Sequence, residues 1–229
     1  MTTDPETITV SVNEQDSVTA LLYAAAKKTR IGTTIVLGHG AGANQLSGFM
    51  RLFASGLAAR GLDALTFNFV YKEQGRSAPD HKTKLEACYS AVIEVARRQR
   101  KLKANDLVIG GKSMGGRIAS QVAAAGAGEL AGLVFLGYPL HPPGKPEQLR
   151  TEHLKNIRAP MLFMQGSRDA FGTSEEIRGV IKELHLPATL YEITGGDHSF
   201  KVPKRASMSQ DQVYEAGMDE IVNWLRSRR

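Results

Sequence analysis

The sequence predicts an α/β fold: a mostly parallel, twisted sheet of about eight strands, helices on both faces, and an N-terminal antiparallel hairpin. Three observations predict it. Short apolar, β-branched runs alternate with amphipathic, helix-like segments along nearly the whole chain. Several runs, such as Thr33 to Leu37 and Gly132 to Leu136, are apolar without alternation, as strands buried on both faces are. A chain of 229 residues, 42% hydrophobic and 23% charged, holds enough apolar material for one large core. With no internal repeat and no linker, residues 1–229 are expected to form a single domain.

Thr7 to Val12 and Val18 to Ala24 are β-like runs around the polar stretch Asn13 to Ser17, which reads as a hairpin. Thr33 to Leu37 ends in the glycine-rich loop His39-Gly40-Ala41-Gly42-Ala43-Asn44. A helix from about Ser47 to Arg60 follows, with Phe49, Leu52, Phe53 and Leu57 at helical spacing and Gly61 at its end. Leu62 to Phe69 is the next strand, Tyr71 to Asp80 a loop, and Asp80 opens a long helix with Leu85, Cys88, Tyr89, Val92 and Ala96 on one face. Asp106 to Gly111 is a strand that runs into a helix over Arg117 to Ala125. After Gly132 to Leu136, the proline-rich segment 138–158 is expected to be irregular, with a short helical stretch around Glu147 to Lys155. Met161 to Gln165 is a strand, Ser174 caps a helix reaching Leu184, and Ala188 to Ile193 is the last strand. The closing helix opens with a Ser209–Gln212 capping box and turns Tyr214, Met218, Ile221 and Leu225 to the core.

Composition excludes several classes. No apolar run approaches membrane-spanning length, and the polar N-terminus has neither the basic nor the apolar region of a signal peptide. The single cysteine, Cys88, excludes an internal disulfide and fits a reducing, cytoplasmic compartment. A net charge of +6 is partly gathered in Arg97 to Lys103 and in the C-terminal arginines, without interleaved aromatics, so nucleic acid is not an expected partner. No cluster of His, Cys, Asp and Glu has metal spacing.

The chemistry concentrates in Asp106 to Arg117, DLVIGGKSMGGR. Gly111-Lys112-Ser113-Met114-Gly115 is a G-x-S-x-G motif between a strand and a helix, a turn so tight that only glycine fits two residues before and two residues after the serine. The same residues resemble the tail of a phosphate-binding G-x-x-x-x-G-K-[ST] loop. That motif needs a glycine where this chain has Asp106, so a nucleotide site is rejected. In a parallel sheet, ligands meet the loops at the carboxyl ends of strands. Here three such loops carry Ser113, Asp169 and His198 in that order. Acyl transfer needs those types: a hydroxyl to attack, an imidazole to take its proton, and a carboxylate to hold the imidazole. The amide N–H groups of Met114 and Ala41 are the candidate oxyanion donors.

Each assignment has a plainer alternative. Asp169 could only cap a turn, and Asp197 is a rival carboxylate, although a sequence neighbour rarely reaches back to the ring of the next residue. His39 is expected to bond locally and shape its loop. His81, His141, His153 and His185 are read as bystanders, and Cys88 as a small core residue. Lys112 and Arg117 are expected to be solvated or paired with nearby carboxylates, a preference for anionic substrates being the second option.

Six segments, His39 to Ala43, Phe49 to Arg51, Phe67 to Phe69, Gly110 to Arg117, Gly166 to Asp169 and Gly196 to Phe200, together resemble the small α/β-hydrolases of the dienelactone-hydrolase-like group. The branch is the one shared by bacterial predicted hydrolases and the hydrolase-like domain of a chromatin-associated acetyltransferase-complex subunit. The resemblance spans nearly the whole chain. It implies Ser113 as nucleophile, Asp169 as acid and His198 as base, with no cofactor. Dienelactone hydrolases proper use cysteine where this chain has Ser113, so their substrate does not carry over. The lid-like segment 138–158 is too short for a large apolar cap, which points to small or exposed acyl groups. The expected function is therefore a serine hydrolase acting on small-molecule carboxylic esters, with thioesters an open option, as a monomer or homodimer. The alternative, since the branch includes assembly proteins, is a non-catalytic hydrolase fold that binds a protein partner.

Overall fold

Strand β1 (Glu6–Ser11) and strand β2 (Ser17–Tyr23) form an antiparallel hairpin at one edge of the sheet, in a computed structural model that describes residues 4–228. The Asn13 side chain closes the hairpin by accepting the N–H groups of Gln15 and Asp16, as turn asparagines do. Then follow β3 (Thr33–Gly38), α1 (Gly48–Ala59), β4 (Asp63–Phe67), the short α2 (Val70–Glu73) and α3 (Lys82–Arg98). The second half runs β5 (Asp106–Lys112), α4 (Met114–Ala124), β6 (Gly132–Leu136), β7 (Met161–Gly166), α5 (Ser174–Glu183), β8 (Ala188–Ile193) and α6 (Gln210–Arg226).

All eight strands join one sheet in the order β1-β2-β4-β3-β5-β6-β7-β8. The pairings β1–β2 and β2–β4 are antiparallel, and every pairing from β4 to β8 is parallel. Because side chains alternate along a strand, the central strands feed two separate cores. Ile35, Leu37, Val108 and Val134 point to the layer of α1 and α6, where Phe53, Leu57, Met218 and Trp224 cover them. Val36, Ile109, Leu133 and Phe135 point the other way, onto Tyr89, Val92, Ile118 and Ile177 of α3, α4 and α5. Every residue of β3, β6 and β7 is buried, which explains their unbroken apolar runs.

The structure departs from the sequence reading at several element boundaries. Tyr71 to Asp80, expected to be a loop, begins inside α2. Asp80 does not open α3: His81 holds the N-cap position, while Asp80 accepts the Tyr71 N–H at 2.9 Å and the Arg76 guanidinium at 2.5 Å. The helix after Ser113 starts at once, at Met114 and not at Arg117, and takes in Gly115 and Gly116, where the Gly38 and Gly111 carbonyls leave no room for a side chain. Between Glu147 and Lys155 only a single 3₁₀ turn forms, Leu154–Asn156, so segment 138–158 carries no lid helix. Thr173, not Ser174, caps α5 through a reciprocal box with Glu176. Ser174 instead donates to Glu192 at 2.7 Å. The Ser209–Gln212 box of α6 is present as expected.

Candidate active site

The central strand β5 delivers Ser113 directly into α4, with no room for a loop. Ser113 pays for this in backbone strain, at φ 51° and ψ −116°, a region L-residues seldom occupy. Gly111 and Gly115 make the turn possible. A Cβ on either would stand 2.2 or 2.1 Å from the Gly38 carbonyl oxygen of β3, which passes beside the turn. The hydroxyl is thereby presented above the carboxyl edge of the sheet, at the N-terminus of α4, where the helix dipole favours negative charge.

Two neighbouring loops supply its partners. After β8, His198 brings its Nε2 to 2.8 Å from Ser113 Oγ. After β7, Asp169 places Oδ2 2.7 Å from His198 Nδ1. Asp169 is 2% exposed, so its charge must be held by hydrogen bonds. Gln165 Nε2 donates to Oδ2 at 2.9 Å and the Phe171 N–H donates to Oδ1 at 2.8 Å. The latter bond is the turn-capping role foreseen as the plainer alternative; it uses Oδ1, while Oδ2 meets His198 and Gln165. The Phe171 ring lies against His198, centroids 4.2 Å apart. Asp197 takes no part in this chain of bonds; its Oδ1 accepts the N–H groups of Ser199 and Lys201 and shapes the histidine loop.

The loop after β3 lies on the other side of Ser113. A Cβ built on Gly40 would sit 3.7 Å from that of Ser113. Ala41 is the next residue, and its carbonyl accepts the Tyr71 hydroxyl at 2.7 Å. Met114 occupies the first position of α4. His39 is wholly buried, its Nδ1 2.8 Å from the Gly40 carbonyl and its Nε2 accepting the Phe69 N–H at 3.2 Å. Burial pulls its pKa down to about 4, so the ring is neutral and structural, as the local-bonding expectation held.

Other candidates also find places. Cys88 is buried in the core and burial pushes its thiol up to about 12, far from any nucleophilic role. His153 lies 2.7 Å from Ser120 Oγ, and burial lowers it to about 4, so it is a packing element more than a bystander. His141, which is buried, meets Glu176 at 3.2 Å. Arg117 forms no ion pair among the described residues and lines an open cleft with Lys82, Arg150 and His153. Lys112 is the largest departure. It is half-buried and forms no ion pair with a carboxylate among the described residues: its Nζ donates to the His198 carbonyl at 2.5 Å. The sequence reading placed Gln165 in a strand and Tyr71 in a loop and gave neither a part in the site, where they bond Asp169 and the Ala41 carbonyl. The visible signal for Gln165 was a lone amide at the end of an apolar strand, four residues before Asp169. Among the described residues no group of His, Cys, Asp and Glu could hold a metal ion, and no helix is long and apolar enough to cross a membrane.

A parallel sheet with an antiparallel edge, and a strained serine on the turn leaving its central strand, define a class: the α/β-hydrolase fold. The family model of the alpha/beta hydrolase domain matches residues 32–226, and the chain belongs to that family. Solved structures with the same fold include an alpha-beta serine hydrolase homologue from Coxiella burnetii, 18% identical, with a TM-score of 0.71 over 98% of this chain and 96% of the other. Dienelactone hydrolase from Anabaena variabilis is similar at 17% identity and a TM-score of 0.74, over 98% and 99% of the two chains. A serine hydrolase without lid from Xanthomonas campestris matches at 16% identity and a TM-score of 0.71, over 100% and 94%.

Proposed function

We propose that this protein is a serine hydrolase that cleaves carboxylic esters of small or exposed acyl groups, thioesters within its range, through an acyl-Ser113 intermediate. The observation that carries the reading is the unbroken hydrogen-bonded chain Ser113 Oγ–His198–Asp169, with distances of 2.8 and 2.7 Å. His198 Nε2 takes the hydroxyl proton as Oγ attacks the carbonyl carbon, and Asp169 holds the Nδ1–H and offsets the imidazolium charge. The N–H groups of Met114 and Ala41 stabilise the oxyanion of the tetrahedral intermediate. Collapse breaks the bond to the leaving alcohol or thiol, which His198 protonates. Water, deprotonated by the same Nε2, then releases the carboxylic acid and restores Ser113.

The substrate range is supported by the single 3₁₀ turn in segment 138–158, which offers no apolar cap for a long chain. We read residues 1–229 as one such unit, acting without a cofactor or nucleic acid, as a monomer or homodimer. A cytoplasmic location is supported by one unpaired, buried cysteine.

The test is labelling with a fluorophosphonate probe and mass-spectrometric mapping, beside hydrolysis of a short-chain nitrophenyl ester. Labelling at Ser113, with hydrolysis abolished in Ser113→Ala, is expected. A folded protein that neither labels nor hydrolyses would overturn the reading and leave the non-catalytic, partner-binding alternative.

A further inference from the structure

Lys112 stands immediately before the nucleophile, yet its side chain reaches across to the loop that carries the base. Its Nζ donates to the His198 backbone carbonyl at 2.5 Å. Two aromatic rings flank the ammonium: Phe49 of α1 with its centroid at 5.8 Å, and Phe200 of the histidine loop at 5.5 Å. Both distances lie within the range of cation–π attraction. The third wall is Gly137, just after β6, at φ +70°. A Cβ there would stand 2.9 Å from Lys112 Nζ and 3.1 Å from the His198 carbonyl oxygen. The left-handed glycine thus leaves the space through which the lysine and the carbonyl meet.

We infer that Lys112 is a positioning residue for the hydrolysis proposed above: it fixes the His198 backbone to the strand that bears Ser113. The inference rests on that serine-hydrolase reading. The two reacting groups lie 85 residues apart in the chain and on different loops. His198 is steered at its ring by Asp169 and Phe171 and at its backbone by Lys112, so nucleophile and base share one rigid frame. The charged groups that face the ammonium are Asp169 and Asp197. Burial lowers the Lys112 pKa to about 8 while these carboxylates hold it up. The ammonium is therefore charged below about pH 8 and loses its charge-assisted bond above it.

The experiment compares wild type, Lys112→Met and Lys112→Gln. A misplacement of about 1 Å between base and nucleophile costs about 100-fold, so kcat of Lys112→Met should fall to that extent with KM within threefold. The rate of fluorophosphonate labelling at Ser113 should fall in parallel. Lys112→Gln, which keeps a neutral donor on a side chain one atom shorter, should recover part of both. Wild-type kcat should decline above about pH 8, a limb that Lys112→Gln lacks because it has no ammonium to titrate. Unchanged labelling and kcat in folded Lys112→Met would overturn the inference. If neither substitution folds, the wild-type profile decides: a flat kcat from pH 7 to 9.5 overturns it. Failure of the underlying reading looks different, since wild type itself would then neither label nor turn over.

Discussion

The loops after β3 and β8 each bring one histidine to the same edge of the sheet, and they surround it in opposite ways. His39 has backbone groups at both ring nitrogens, the Gly40 carbonyl and the Phe69 N–H, and lies completely out of water. Its tautomer is locked and protonation is suppressed. His198 has a carboxylate on one nitrogen and a hydroxyl on the other, with part of the side chain open to solvent. One ring is a brace, and the other lies between Ser113 and Asp169, where the proposed reaction needs it. The identity of the residue does not separate them; the partners of the two nitrogens do.

This contrast can be broken most sharply at His198. His198→Ala should lower kcat/KM by about four orders of magnitude or more while the protein stays folded, as circular dichroism and a thermal melt would show. A loss below about tenfold would place the base elsewhere. Next comes Asp169→Asn, which leaves Nδ1 without its carboxylate. A loss of about 10³- to 10⁴-fold in kcat is expected, and unaltered kcat would remove Asp169 from the mechanism.

At His39 the effect should appear in stability. Its folded pKa of about 4 lies below the ordinary 6.5, so the unfolded chain binds more protons in between. Stability from this group is full above pH 6.5 and is lost as pH falls towards 4, by about 3 kcal/mol. Urea titrations from pH 7 to 4 should show that decline, in the same direction as a contribution from His153, and His39→Gln should flatten it. An unchanged slope in the variant would contradict the brace role. The smallest effect is expected at Tyr71→Phe, which removes the 2.7 Å bond to the Ala41 carbonyl. The cost should be about 1 kcal/mol, with a several-fold fall in kcat if Ala41 donates to the oxyanion. Equal Tm and kcat would show that the Ala41 loop is held without it.

How far the chain alone reveals this arrangement differs from residue to residue. Ser113 is legible because a turn this tight demands glycines at fixed offsets, a local constraint written in Gly111 and Gly115. Asp169 and His198 are legible because loops after buried strands converge on one edge of a parallel sheet. Lys112 and Gln165 are not, since each is judged by neighbours that are distant in sequence or hidden in the pleat: His198 for the first, Asp169 and the Tyr138 backbone for the second. Asp80 misled because aspartate is a good helix cap, and a free backbone N–H on Tyr71 and a guanidinium on Arg76 proved stronger partners.

By itself, then, the sequence determined the periodicities, the succession of strands and long helices, the glycine turn and the candidate reactive groups, whose signals lie within a few residues of each. Only the tertiary structure decided the strand order β1-β2-β4-β3-β5-β6-β7-β8, the missing helix in segment 138–158, and the distances of 2.8 and 2.7 Å that join Ser113, His198 and Asp169. The physical reason is that these depend on which buried surfaces meet, and no window of local sequence contains both partners.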